Sequence, residues 1–377
     1  MNRYPIRLMA LMGLLLSLAC KSEPAPPAPE PPAKPFFRGA DLSYVNEMLA
    51  CGAVYRDSSG AEMDPYELFA RAGTDLMRVR LWHNPDWTAY SDLADVTDAI
   101  ARAKAAGMQV LLDFHYSDDW ADPAKQSVPA AWAAVRENTQ VLGDSVYEYT
   151  YRVLAHLHGQ GLLPELVQTG NEINGEILRA EGAPAGAINW GRNAALLNRA
   201  LAAVRDAERD FGAEIGLMLH IAQPENALWW FAEAKAAGVT DYDWIGLSYY
   251  PLWSDYSLDS LPTALRQLRQ DHGKKVMVVE TAYPFALDNV DAANNILGED
   301  ALVPGYPATE AGQLGYLRAL EAQIRVGNSE GLIYWEPAWV STPCSTRWGV
   351  GSHWDNATLI GRDGRPLAGM GWYGEER

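Results

Sequence analysis

The chain has 377 residues, 48% of them hydrophobic and 21% charged, and a formal net charge of -18. That length leaves room for one large or two small domains with a sizeable core. The acidic balance excludes a nucleic-acid binder, which needs clustered Lys and Arg, and disfavours a polyanionic substrate.

The N-terminus reads as a targeting segment. In "MNRYPIRLMALMGLLLSLAC", Arg3 and Arg7 precede an apolar run from Leu8 to Leu18. The run is too short for a membrane span and fits a signal h-region. It ends at Ala19-Cys20, where a bacterial lipoprotein signal carries its lipidated cysteine; plain signal cleavage is the alternative. Residues 21–35, "KSEPAPPAPEPPAKP", are too Pro-rich to build a core and read as an extended tether. The predicted organisation is a signal over 1–20, a tether over 21–35 and one folded domain over 36–377. An exported monomer follows, held at the cell surface or in the periplasm by a lipid on Cys20, or otherwise secreted.

From residue 36 apolar runs alternate with longer helix-like segments. The predicted strands cover 36–43, 74–82, 107–115, 165–172, 213–220, 242–250, 274–281 and 329–337. Ala-rich helices are predicted over 93–107, 191–212, 263–273 and 310–327, several followed by Gly. Apolar strands alternating with helices indicate a parallel sheet covered on both faces. Eight such units in this length fit an α/β (β/α)₈ TIM barrel. The rival, a doubly wound open sheet, usually carries a Gly-rich phosphate loop after its first strand. Here that strand ends in "GADLSYV".

A barrel collects its functional groups where the strands end. Those ends carry Asp41, Arg80 with Trp82, His115 with Tyr116, Asn171 with Glu172, His220, Tyr249 with Tyr250, Glu280, and Trp335 with Glu336. Rim polarity explains any one of them but not all eight. Fourteen Trp and eighteen Tyr against seven Phe point the same way, because a flat face with a hydrogen-bonding edge suits a sugar ring. An aromatic-rich core fits that count equally well. Glu172 and Glu280 end strands four and seven, across the barrel mouth from one another. Two carboxyl groups flanking a sugar ring are the equipment of glycoside hydrolysis.

If Cys20 is lipidated, Cys51 and Cys344 remain. They follow strands one and eight, which are neighbours in a closed barrel, so a disulfide between them is predicted; two separate buried thiols are the alternative.

The stretches "RVRLWHNP", "LLDFHYSDDWADPAKQ", "VPAAW", "VQTGNEINGE", "IGLSYYPLW", "VVETAYP", "YWEPAWV" and "GSHWDNATLIGRDGRPL" resemble the arabinogalactan endo-β-1,4-galactanases, glycoside hydrolase family fifty-three. The run at 111–126 is the most specific of them. The resemblance implies a retaining endo-glycanase acting on β-1,4-galactan or type I arabinogalactan, with Glu172 as acid/base and Glu280 as nucleophile. It places Arg80, His115, Asn171, His220, Tyr249 and Trp335 around the pair. Arg80 is expected to keep Glu280 ionised, Asn171 to bind the sugar 2-hydroxyl, and Trp335 to floor the reacting subsite. Tyr249 or Tyr250 is expected to orient Glu280, and His115 to face the reacting centre. Asp41 joins the substrate-binding candidates. Asp118, Trp120 and Asp122 line or brace the groove, with Trp120 either touching sugar or packing at the rim; Asp119 and Lys125 read as solvated.

The chain departs from the family at Glu176, Ile177, Leu178 and Arg179, where a Gly-Met-Leu-Trp run is usual, and at Ala124, where Gly is common. Some members bind calcium in the loop after strand seven. Here Asp288, Asp291, Asn294 and Asn295 offer oxygens without a regular spacing, so no metal or other cofactor is expected. Two other readings compete: an endo-glycanase of the same clan acting on mannan or xylan, and a non-catalytic surface glycan-binding lipoprotein.

Overall fold

Besides Met1, the computed structural model describes residues 36–179, 188–347 and 349–375. The signal, the tether and Cys20 lie outside the described residues.

Eight parallel strands close into a barrel in chain order. They are β1 (Phe37–Asp41), β2 (Leu76–Leu81), β3 (Gln109–Phe114), β4 (Leu166–Thr169), β5 (Gly216–Ala222), β6 (Trp244–Ser248), β7 (Lys275–Glu280) and β8 (Gly331–Tyr334). β1 pairs directly with β8, Phe37 against Gly331 and Ala40 against Tyr334, which closes the ring. Seven lie inside the expected runs, and β5 runs two residues past its expected end at 220.

The outer shell comprises α1 (Val45–Ala50), α2 (Pro65–Ala72), α3 (Leu93–Ala105), α4 (Thr139–Gly159), α5 (Trp190–Phe211), α6 (Pro224–Ala236), α7 (Leu261–His272) and α8 (Glu310–Val326). Local chemistry sets their ends. Side chains of Asp64, Asp92, Asn138, Asn189 and Thr309 accept backbone N–H groups at five helix starts. Gly73, Gly212 and Gly273 take the left-handed conformation that ends α2, α5 and α7.

Alternation along the strands sorts the barrel interior into layers. The lower layer is apolar: Leu76, Leu111, Leu166, Met218, Trp244, Met277, Val279 and Ile333, with Phe37 beside them. One alternation higher the inward groups turn polar: Arg78, Asp113, Gln168 and His220, all fully buried. Gly246 keeps room between Trp244 and Ser248, because a Cβ there would come within 2.7 Å of Met218 Sδ.

β7 breaks the alternation. Met277 and Val279 already face inward, so a regular strand would turn Glu280 outward. A register shift opposite Leu247 and Ser248 pairs Ser248 with Glu280 instead. This bulge brings the Glu280 carboxyl back to the interior.

Cys51, just after α1, and Cys344, in the loop after β8, form a disulfide with a Cα–Cα distance of 5.6 Å. That loop also folds into a short hairpin pairing Ser345–Thr346 with Gly349–Val350. The bond joins residues 293 apart. On the chain-entropy account, closing so long a loop stabilises the fold by about 5 kcal/mol. Replacing both cysteines with Ser should lower the free energy of unfolding in urea by up to about that amount. An unchanged denaturation midpoint would refute this assignment of its role.

Candidate active site

The cleft at the C-terminal mouth has a volume of about 570 Å³. Its walls include Tyr44, Trp120, Asp122, Asn171, Glu172, Gln223, Tyr250, Trp253, Glu280, Trp335, Glu336, Trp339 and Trp354.

Its centre is built on Arg78, whose side chain is fully buried. The guanidinium lies 3.0 Å from Asp41, 2.8 Å from Asp113 and 2.7 Å from Glu280. It also donates to Asn171 Oδ1 at 2.8 Å. Four strand ends are thereby tied to one cation. Asp113 is held in turn by Gln168, whose Nε2 donates to it at 2.6 Å.

Ser248 stands between the two glutamates. Its Oγ lies 2.5 Å from Glu172 Oε1 and 3.4 Å from Glu280 Oε2. Those two carboxyl oxygens are therefore no more than about 6 Å apart, which puts the pair on the retaining side of the glycosidase divide. Burial raises the Glu172 pKa to about 7, with Ser248 opposing the rise. Burial also pushes Glu280 upward, against Arg78 and with Glu172 adding to the rise. Two carboxylates this close cannot both ionise cheaply, so they titrate as a pair holding one proton above the usual range. Arg78 contacts Glu280 and not Glu172, so the charge settles on Glu280 and the proton on Glu172.

The backbone at the mouth is unusual. Of the seven non-glycine residues with positive φ among the described residues, Tyr116, Glu172, Gln223 and Glu336 each follow a strand. Such conformations cost about 1 kcal/mol or more each and cluster at functional sites.

Residues 37–372 match the model of glycosyl hydrolase family 53. The chain belongs to that family. It is 58% identical to an arabinogalactan endo-beta-1,4-galactanase of Cellvibrio japonicus over 327 residues, 86% of either chain. It is 33% identical to an endo-beta-1,4-galactanase of Bacillus subtilis, covering 90% of this chain and 80% of that one. Among solved structures, a GH53 catalytic domain of Ignisphaera aggregans superimposes with a TM-score of 0.82 at 34% identity. That match covers 92% of this chain and 98% of the other.

Against this family 53 site, several sequence expectations need correction. Arg80 does not hold Glu280; Arg78 does. Arg80 lies one alternation nearer the mouth, its guanidinium carbon 4.0 Å from the Tyr44 ring centroid, 4.4 Å from Trp120 and 4.8 Å from Trp82. Asp41 is no substrate contact: it is fully buried, pairing with Arg78 and accepting from Ser43. Tyr249 faces away from the cleft and donates to the Tyr256 carbonyl. Of the two, Tyr250 lines the cleft, packed against Trp253 and Trp354.

His115 does not line the cleft but locks the loop behind it. Its Nδ1 accepts from the Ala121 backbone N–H at 3.2 Å, which leaves the ring proton on Nε2, 3.2 Å from Asp113. His220 is likewise buried below the cleft floor. Asn171 lines the cleft, with Nδ2 donating to the Ala121 carbonyl. Trp335 lines it too, edge-on to Trp120. Trp120 lines the cleft and packs on Trp82 and Arg80, which bears out the rim packing.

In the loop after β3, Asp118 is a brace, accepting from the N–H groups of Asn84 and Ala130. Asp122 caps a turn and reaches the cleft. Asp119 and Lys125 are not merely solvated: they form an ion pair at 2.8 Å, and Asp119 also binds Arg347 at 2.8 Å. At the departure beside β4, Glu176 pairs with Arg192, while the Arg179 backbone bonds with Gln126 and Val128. In the loop after β7, Asp291 accepts from Ser341 and the Ser352 N–H, so it ties that loop to the one after β8.

Sequence reasoning missed Arg78, Gln168 and Ser248 as site residues. Arg78 and Gln168 had a signal, being polar in otherwise apolar strands. Glu336 was read as a polar end of strand eight but given no role. It is a third buried carboxyl group of the cleft, 3.4 Å from Ser352 Oγ. Burial raises its pKa to about 8, against the pull of Arg80.

The sign of the linkage for Glu336 is clear. Between about pH 4.5 and 8 the folded state keeps a proton that the unfolded chain has released, so stability falls as pH rises through that window. Glu336→Gln removes the titration. Its melting temperature should decline less than that of the wild type between pH 5 and 8.5; parallel declines would show that Glu336 is ionised in the fold.

Proposed function

We propose that this protein is an endo-acting galactanase that cleaves internal β-1,4-galactosidic bonds of galactan and arabinogalactan with retention of anomeric configuration. The observation that carries this reading is the pair of glutamates sharing Ser248, with Arg78 on only one of them. Family membership and the activity named for the Cellvibrio japonicus relative support the substrate.

The chemistry follows from the two environments. Glu280, ionised beside Arg78, attacks the anomeric carbon. As that C–O bond breaks, Glu172 gives its proton to the departing oxygen, leaving a galactosyl ester on Glu280. Glu172, now a carboxylate, takes a proton from water, whose oxygen attacks the same carbon and frees Glu280. Asn171 offers its second amide hydrogen to the sugar 2-hydroxyl, and Trp335 floors the reacting ring. Trp120, Tyr250, Trp253 and Trp354 provide apolar faces along a cleft open enough for a chain.

A panel of linear galactan, mannan and xylan tests the substrate class: galactan should lose viscosity early and yield oligosaccharides, and cleavage of mannan or xylan instead would move the protein to another specificity. No cleavage with retained glycan binding would support the non-catalytic reading. The division of labour has its own test. With an activated aryl galactoside, Glu172→Ala should complete the first step and stall, and azide should rescue it as a β-galactosyl azide. Glu280→Ala with azide should give the α-azide, by attack from the vacated face. The same anomer from both variants would overturn the assignment.

The reading extends to an exported, monomeric enzyme anchored through a lipid on Cys20, whose tether gives the cleft reach toward a polysaccharide. Cys20→Ala should move the protein from the membrane fraction to a soluble one; an unchanged membrane fraction would refute the anchor.

A further inference from the structure

Beneath Glu172 a chain of hydrogen bonds leaves the residue through its backbone and returns to its own side chain. The Glu172 N–H points at His220 Nδ1 at 3.3 Å. His220 Nε2 lies 2.9 Å from Ser248 Oγ, and Ser248 Oγ lies 2.5 Å from Glu172 Oε1. The positive φ of 43° at Glu172 belongs to the turn that makes this return possible.

The direction of every proton in the ring can be worked out. His220 is fully buried. Burial, with the Arg78 charge nearby, pushes its pKa well below the ordinary value. It is therefore neutral, with one nitrogen donating and the other accepting. A backbone N–H has a fixed orientation, so Nδ1 must be the acceptor. Gln168 Nε2, 3.1 Å away, faces Nδ1 with a further donor. Asn171 Oδ1, 3.0 Å from Nδ1, already accepts from Arg78. The ring proton thus sits on Nε2 and is donated to Ser248 Oγ. Ser248 has a single hydroxyl proton and gives it to the nearer carboxyl oxygen, Glu172 Oε1, rather than to Glu280 Oε2 at 3.4 Å.

We infer that His220 and Ser248 are positioning residues that make Glu172 Oε1 an acceptor only, and so confine the acid proton to Oε2, the oxygen left for the cleft. This rests on the acid role of Glu172 proposed above. The proton inventory is simple. In the first step the proton on Oε2 passes to the leaving oxygen, and in the second a proton from water returns to Oε2. The Ser248 and His220 protons stay where they are, so the ring is set before the reaction and does not reorganise during it. Without the ring, the proton could sit on either oxygen, and half of the acid's orientations would be unproductive or worse.

The test has two arms. Nitrogen-15 NMR of the histidine-labelled protein, with His220 assigned by loss of its signals in His220→Gln, should show a neutral ring protonated at Nε2 from pH 5 to 8. An imidazolium, or a ring protonated at Nδ1, would overturn the inference whatever the substrate. The second arm separates proton delivery from general damage. Ser248→Ala should slow galactan turnover about 10- to 100-fold at little changed KM, while the first step with a dinitrophenyl galactoside, which needs no proton, slows less than about 3-fold. Ser248→Thr, which keeps the hydroxyl, should recover most of the galactan rate. Equal losses on both substrates would reduce Ser248 to a packing residue. If the wild type cleaved neither substrate, the functional reading would fail, and the NMR arm would still decide the ring.

Discussion

The site depends on one buried guanidinium. Arg78 faces three carboxylates, Asp41, Asp113 and Glu280, drawn from β1, β3 and β7. Burying a cation costs several kcal/mol unless its partners are close and well placed. That requirement works in both directions here. The carboxylates cannot be buried without Arg78, and Arg78 cannot be buried without them. The hub therefore demands that β1, β2, β3 and β7 end at matching heights, and the barrel register supplies this. Because Arg78 touches Glu280 and leaves Glu172 to Ser248, the same cation breaks the symmetry between two otherwise equivalent glutamates.

Below the hub lies an apolar layer, from Leu76 round to Ile333. It keeps the effective dielectric low, so each charge or hydrogen bond above it shifts the carboxyl groups strongly. Glu172, near 7, and Glu336, near 8, are both held up by burial. Among the described residues Glu336 has no ion pair of the kind Arg78 gives Glu280, since Arg80 is held among aromatic rings. Of the three buried glutamates, Glu280 thus keeps its negative charge beside Arg78, while Glu172 and Glu336 hold their protons above the usual carboxyl range. Such a surface suits a neutral, hydroxyl-rich chain.

Much of this was legible in the sequence because a parallel barrel writes its strands as apolar runs and its site at their ends. The eight runs, the pairing of the Cys51 and Cys344 loops and the two glutamates could all be read that way. What failed was depth and parity. Arg78 and Arg80 share one face of β2, and their relative height is set by the stagger of neighbouring strands, which no local pattern records. Tyr249 and Tyr250 point to opposite faces, and the register shift beside Ser248 makes parity unsafe on that side of the barrel. Ser248 itself closes the apolar run "WIGLS" and gives no hint that it links two carboxyl groups. His115 does follow its strand, whereas His220 lies two residues inside the end of β5, and both act from behind the cleft wall.

The dense run at 111–126 shows why a strand would end in so many polar and aromatic groups without all of them touching substrate. Asp113 belongs to the Arg78 hub, His115 pins the Ala121 N–H, and Asn171 takes the Ala121 carbonyl. One peptide segment is thereby fixed between the groups that end β3 and β4. Asp118 fastens the loop to Asn84 and Ala130, and Asp119 reaches Arg347 in the loop after β8. The disulfide from Cys51 secures that second loop only three residues from Arg347. Trp120, held between these anchors, can then present its ring to the cleft as a fixed wall. A retaining reaction needs two carboxyl groups held to a fraction of an ångström on either side of one ring. In this protein that precision comes from side chains which face away from the sugar.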